Sequence, residues 1–327
     1  MKGSWTGRKV LVTGVNGFLA ANLSKRLIEL GATVVGVERD VPQPNALDVF
    51  GIRDSISIVH GSVDDLALME RTINEFEIDT VFHLAAQAIV SAANRSPLGT
   101  FEANIRGTYI LLEACRRSPA VIAVAVASSD KAYGSHEQLP YEEHFAMQGL
   151  YPYDVSKSCT DLIARSFAHT YNLPVTVARA ANIYGPGDLN LSRIIPGTIL
   201  SVLAGEQPVI RSDGTPVREY IHVEDVVEAY LSLATAIEKT KGEAYNIGSG
   251  DHVDVLALVN TIVDLCGSAD TITPKVLLDR KIEREIDQQF LSSERMQSTT
   301  GWSARYSLRD GLENTVAWYR QNREVLA

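Results

Sequence analysis

Ser129, Asp130 and Lys131 follow, after Ser128, on the apolar run Val121-Ile122-Ala123-Val124-Ala125-Val126-Ala127. They bring a hydroxyl, a carboxylate and an ammonium to one point, a set able to hydrogen-bond an alkoxide and to pass protons. Tyr153 and Lys157 lie four residues apart, so on a helix they share a face. A lysine cation beside a phenol favours the phenolate, which would let Tyr153 act as a base near neutral pH. Taken singly, the first motif also reads as a solvated turn and the second as a surface helix pair. Their company decides between these readings.

The run Val121–Ala127 is short and unbroken by charge, the pattern of a strand buried on both faces of a parallel sheet. Polar residues at the carboxyl end of such a strand point into the crevice where open α/β sheets bind ligands. A second landmark lies near the start. Lys9–Thr13 reads as a strand, enters Gly14-Val15-Asn16-Gly17-Phe18-Leu19-Ala20, and continues as a helix to Leu30; Gly31 ends it before the strand Thr33–Val37. Gly14 allows the tight turn, Gly17 lets the backbone approach a pyrophosphate, and Ala20 permits close helix packing. The helix N-terminus offers N–H donors and a positive dipole end to phosphate. Glu38 ends the second strand, where a carboxylate accepts hydrogen bonds from a ribose diol and repels a 2′-phosphate, favouring NAD over NADP. The neighbouring Arg39 reads either as a receptor for that phosphate or as a surface arginine.

Strands are further expected at Ile56–His60, Thr80–Leu84 and Val175–Arg179, with helices at Asp65–Phe76, Thr100–Arg117 and Tyr153–Ala168. His83, inside an apolar run, reads as a satisfied core histidine. Residues 135–152 read as a polar loop bordering the site. Alternating strands and helices imply a doubly wound parallel sheet over residues 1–180. Residues 181–327 have shorter, mixed elements and read as a smaller α/β lobe, with about 220–250 returning to the first domain; the last helix is expected over Leu308–Val325.

The chain has 327 residues, 45% apolar and 21% charged, as in a globular protein with room for two lobes. A net charge of −10 argues against a nucleic-acid surface. Cys115, Cys159 and Cys266 are far apart, with neither metal spacing nor a disulfide framework, so a reducing cytoplasm is expected and no metal is. No apolar run approaches membrane-spanning length, and the N-terminus lacks a signal core.

These features resemble the extended short-chain dehydrogenase/reductase superfamily, and within it the nucleotide-sugar epimerases and dehydratases. The resemblance rests on the Gly14–Ala20 turn, Ser129 with Tyr153 and Lys157, Asn182-Ile183-Tyr184-Gly185-Pro186, and Arg218 ahead of His222-Val223-Glu224-Asp225. The CDP-glucose 4,6-dehydratase branch is similar in His83–Gln87, Ser128–Tyr133, Arg179–Asn182 and above all Gly187–Pro196. Ser62 departs from the pattern, standing where related chains carry an aspartate.

The resemblance implies a redox-neutral cycle on a nucleotide sugar, with NAD regenerated. Tyr153 would deprotonate the C4 hydroxyl, Ser129 would hold its oxygen, and Lys157 would assist the tyrosine and bind the nicotinamide ribose. Asp130 and Lys131 would promote loss of water across C5 and C6, with Lys131 either a base or an electrostatic support for the enolate. Further cofactor contacts are implied for Asn16, Phe18, Leu19, Ser62, Val63, Leu84, Ala85, Ala86, Gln87 and Asn104, and substrate contacts for Asn182, Arg193, Val209 and Arg218. A homodimer through the helices Thr100–Arg117 and Asp154–Ala168 is implied as well. The nearest rival is a nucleotide-sugar 4-epimerase acting on UDP-glucose or UDP-glucuronate. A non-enzymatic NAD-binding protein would not need Tyr153, Lys157 and Ser129 together.

Overall fold

The computed structural model describes residues 5–277 and 286–326. Its strands are β1 (Lys9–Thr13), β2 (Thr33–Glu38), β3 (Ile56–His60), β4 (Thr80–His83), β5 (Ala123–Ser129), β6 (Val175–Ala180), β7 (Asn182–Tyr184), β8 (Val209–Ile210), β9 (Val217–His222), β10 (Ala244–Ile247), β11 (His252–Asp254), β12 (Lys275–Val276) and β13 (Gln288–Gln289). Seven of them form one parallel sheet in the order β10-β6-β5-β4-β1-β2-β3. This is the doubly wound α/β architecture. The chain reverses direction across the sheet at β1, whose neighbours are β2 and β4, and such a switch point opens a crevice at the carboxyl ends.

The period-2 side-chain alternation divides each central strand between two cores. Ala123 and Ala125 of β5 belong to the core that includes Val226, Ala229 and Tyr230 of the helix Val223–Thr235. Val124 and Val126 belong to the opposite core, with Leu111, Leu112 and Cys115 of the helix Gly107–Arg117. Burial on both faces is why the strand carries no polar residue before its end; each buried valine contributes roughly 1.5–3 kcal/mol. A third core, with Ile195, Ile199, Leu258, Ile262 and Leu312, supports the C-terminal lobe. There β9 lies between β11 and β13 and also pairs with β7. The edge strand β10 joins the main sheet beside β6.

Three local features differ from the sequence-based expectation. β5 runs through Ser128 and Ser129, because both serines still pair with Arg179 and Ala180 of β6. The expected helix Thr100–Arg117 is interrupted by one π-helical turn at Glu102–Arg106. There the Asn104 carbonyl accepts from the Thr108 and Thr160 hydroxyls, at 2.6 and 2.9 Å. The loop 135–152 does more than border the site: Tyr141 is buried, its N–H donates to the Phe290 carbonyl at 2.9 Å, and its carbonyl accepts from Ser292 N–H at 2.9 Å.

Beneath the end of β5 lies a buried charge network. Arg179 donates to both carboxylate oxygens of Asp161, at 2.7 and 3.0 Å, and to the Tyr133 hydroxyl at 2.7 Å. Tyr133 in turn donates to Asn246 Oδ1 at 2.6 Å. The network ties β6, the helix Pro152–Tyr171, the turn Asp130–Tyr133 and β10 together. Asp161→Asn would leave the guanidinium buried without its counter-ion, so unfolding free energy should fall by about 3–5 kcal/mol, read as a lower urea midpoint. A midpoint equal to that of the wild type would show that the pair does not hold this region together.

Candidate active site

Two adjoining cavities, of about 760 and 680 Å³, share walls at Gly14, Asn16, Gly17, Phe18, Ala85, Ala86 and Arg193. The first runs over the ends of β1, β2 and β3, and Arg39, Asp40, Ser62, Val63 and Gln87 line it. The second lies over the ends of β4 and β5. Leu19, Leu84, Ser129, Asp130, Lys131, Tyr153, Lys157, Asn182 and Arg193 line it.

The glycine turn is built for a close ligand. Gly14 has φ +66°, and a Cβ there would lie 2.9 Å from Ala85 Cα. Gly17 N-caps the helix Phe18–Glu29, which has no side-chain cap and no acid in its first turn. Its first N–H groups and positive dipole end are therefore left for an anion. This set fits the diphosphate of a dinucleotide.

Glu38 behaves differently from expectation. Its buried carboxylate pairs with Arg53, accepts from Asn16 Nδ2 at 3.3 Å and lies 3.3 Å from His60 Nδ1. It braces the wall of the first cavity and does not line it. A carboxylate on a strand end needs partners once buried, and Arg53 provides one. Arg39 and Asp40 face the cavity as a 2.7 Å ion pair. Asn104 also turns inward: its amide accepts from Gln87 N–H at 2.7 Å and donates to Ser156 Oγ at 2.9 Å, shaping the floor beneath the cleft. His83 is a core residue, bonded to Thr13 and Thr108 at 2.9 and 3.1 Å, and burial and Lys157 push its pKa down to about 3.

At the end of β5, Ser129 Oγ donates to Asp130 Oδ1 at 2.9 Å and accepts from Lys131 N–H at 3.2 Å. Lys131 Nζ lies 3.6 Å from Asp130 Oδ2 and donates to Gln289 Oε1. Burial lowers the Lys131 pKa and Arg218 lowers it further, against the pull of Asp130 and Asp154. On the helix Pro152–Tyr171, Lys157 Nζ donates to the Ala127 carbonyl at 2.8 Å and stands 6.0 Å from the Tyr153 ring centre. Burial lowers the lysine to about 8 and raises the Tyr153 phenol to about 12, with a hydrogen bond between the Ser129 and Tyr153 hydroxyls opposing the rise. Burial thus opposes the expected phenolate. Desolvation disfavours the charged form of both groups, and Lys157 directs its proton at a carbonyl.

In the C-terminal lobe, Arg193 Nη1 donates to both oxygens of Asp188 at 3.0 Å. Asn182 Nδ2 donates to the Glu219 carbonyl at 2.9 Å. Arg218 donates to the Val217 carbonyl at 2.9 Å, near enough to Lys131 to depress it. Val209 is half exposed on the β8–β12 ribbon, away from the lining of both cavities.

The NAD dependent epimerase/dehydratase family matches residues 10–248. The chain belongs to this family. A CDP-glucose 4,6-dehydratase of Salmonella typhimurium is 30% identical, over 98% of this chain and 92% of its own. The structure of a UDP-glucose 4-epimerase from Thermotoga maritima, solved with UDP-glucose, matches with a TM-score of 0.87 at 30% identity, covering 96% of this chain and 99% of that one. A dTDP-glucose 4,6-dehydratase from Bacillus anthracis in complex with NAD matches with a TM-score of 0.86 at 26% identity, covering 98% of each chain. The protein is an NAD-dependent enzyme of the epimerase/dehydratase family.

Several residues at this family site escaped the sequence reading. Arg211, Tyr220 and Tyr230 line the second cavity. Asp154, buried and raised to about 6 chiefly by that burial, sits within electrostatic reach of Asp130 and Lys131. Its place beside Tyr153 was the available signal. Gln289, in a two-residue strand with no periodicity, offered none. Because Gly14 combines positive φ with a close neighbour, Gly14→Ala should weaken NADH binding roughly ten- to hundredfold by fluorescence titration. Unchanged affinity would contradict the placement of the diphosphate.

Proposed function

We propose that this enzyme is a nucleotide-sugar 4,6-dehydratase, converting an NDP-hexose, CDP-glucose first among them, to the NDP-4-keto-6-deoxyhexose. The observation that carries this reading is the buried Asp130–Lys131 pair directly after Ser129 and facing the same cavity as Tyr153. A 4-epimerase oxidises C4 and then needs room for the ketosugar to turn. A dehydratase needs, in addition, an acid and a base beside C5 and C6. The Salmonella typhimurium relative supports CDP-glucose as the first substrate to test.

Bound across the two cavities, NAD would supply a transient acceptor for the C4 hydride and its return to C6. Tyr153 takes the C4 hydroxyl proton as the phenolate, which the Lys157 ammonium and the cationic nicotinamide of bound NAD would favour against burial, while Ser129 hydrogen-bonds the oxygen. The resulting ketone acidifies the C5 proton, which Lys131 accepts; its lowered pKa favours the neutral amine that a base requires. The C5–H pair forms the C5–C6 double bond as the C6–O bond breaks, and Asp130 delivers the proton with which the hydroxyl leaves as water. Lys131 then returns a proton to C5. Arg193 and Asn182, which line the second cavity, would receive the diphosphate together with Arg218, guanidinium forks matching its oxygens.

Two finer points belong to this reading. Leu98, Tyr109 and Leu162, on the helices Pro97–Phe101, Gly107–Arg117 and Pro152–Tyr171, are 71, 41 and 56% exposed. We assign that apolar stripe to a homodimer; sedimentation showing only monomer at micromolar concentration would refute it. The three free cysteines suit a reducing cytoplasm.

Incubation with CDP-, dTDP-, GDP- and UDP-sugars should give, for one of them, a product that has lost one water. Lys131→Ala should still oxidise C4 but slow water loss by about 10²–10⁴-fold. A C4 epimer as sole product, formed almost as fast by Lys131→Ala, would sink the assignment.

A further inference from the structure

Gln289 is 0% exposed, yet it belongs to a two-residue strand far along the chain from the site it touches. Its side-chain amide spans the proposed elimination pair: Oε1 accepts from Lys131 Nζ, and Nε2 donates to the Asp130 carbonyl at 3.1 Å. Both ends of the amide are used, so its orientation is fixed. The strand is held on two sides. β13 pairs with β9 at Gln288 and Gln289, and the next residues bond Tyr141 through Phe290 and Ser292. Leu291 N–H also donates to the buried Glu219 carboxylate at 2.9 Å. A fully buried, doubly bonded glutamine on such a braced strand is a fixed reference point for a flexible lysine.

We propose that Gln289 positions Lys131 for proton transfer at C5, and that its neutrality is what leaves the lysine free to act as a base. This rests on the dehydratase reading. The charged groups facing Lys131 are Asp130 on its own turn, Asp154 on the helix Pro152–Tyr171 and Arg218 on β9. Glu219 on β9 lies behind Asp130. Two carboxyls already draw a proton onto the amine. A third acceptor bearing charge would fix it as an ammonium, whereas an amide carbonyl holds the nitrogen in place at far smaller electrostatic cost. Gln289 touches Lys131 and no reacting atom, so it is a positioning residue.

Charge and contact can be separated by two variants of similar size. Gln289→Glu keeps an acceptor and adds a charge; Gln289→Met removes the acceptor. In the NAD-bound enzyme labelled with [13Cε]lysine, the Lys131 resonance is the one lost in Lys131→Ala. Its titration should move up in Gln289→Glu and down in Gln289→Met, by about one unit each, and shifts of opposite sign are not produced by general loosening of the fold. The acidic limb of the dehydration pH profile should follow in the same directions, with elimination near neutral pH about tenfold slower in Gln289→Glu. C4 oxidation, followed as NADH absorbance, should persist in both variants. A wild type that dehydrates while both variants keep its lysine titration and pH profile overturns this inference alone. A wild type that dehydrates no nucleotide sugar overturns the dehydratase reading and, with it, the role given to Gln289.

Discussion

Desolvation at the carboxyl end of β5 is the constraint on which the rest depends. Tyr153, Lys157 and Asp154 are each moved toward the uncharged form, to about 12, 8 and 6, with burial the leading cause every time. Lys131 moves the same way. A cleft that brings the pKa of Lys157 and Asp154 nearer to neutral pH makes their protons easier to exchange. It must then hold those groups with dipoles: the Ala127 carbonyl for Lys157, the Ser129 hydroxyl for Asp130 and the Gln289 amide for Lys131. Within the cluster Asp130 and Lys131 pair at 3.6 Å, while closer ion pairs lie outside it, as Arg179 with Asp161 beneath it and Glu38 with Arg53 at the far wall.

The parts of the fold that depend on local pattern were legible in the sequence. The strand–glycine–helix–strand succession at Lys9–Val37 follows from hydrophobic periodicity and from glycine's access to positive φ, and the structure has it. The spacing of Tyr153 and Lys157 works because the helix Pro152–Tyr171 is continuous. Other features rest on contacts between residues distant in sequence, and no window could reveal them. The partner of Glu38 is an arginine 15 residues on, and the partner of Lys131 is a glutamine 158 residues on. Asn104 shows the same limit: its place on the helix Thr100–Arg117 was readable, but its amide bonds Gln87 and Ser156 from within a π turn. The extra length of β5 came from pairing with β6, a tertiary effect that carried the strand through two polar residues.

The C-terminal part of the chain also reaches the end of β5. Its strand β9 carries Arg218 and Glu219, and β13 carries Gln289; all three bear on the Asp130–Lys131 pair. The C-terminal segment thereby completes a site whose first residues appear on β5. This is a physical reason for the two lobes to be joined through buried polar contacts as well as apolar packing, since displacement of β13 would release Lys131 from its acceptor.

The central claim is that this cleft breaks a C5–H bond and a C6–O bond after oxidising C4. Turnover of the nucleotide sugar in deuterated water, with the product followed by NMR, tests it most directly. The account predicts deuterium at C5 and a methyl group at C6. A product with hydrogen retained at C5 and an intact C6 hydroxymethyl group, differing from the substrate only at C4, would contradict it.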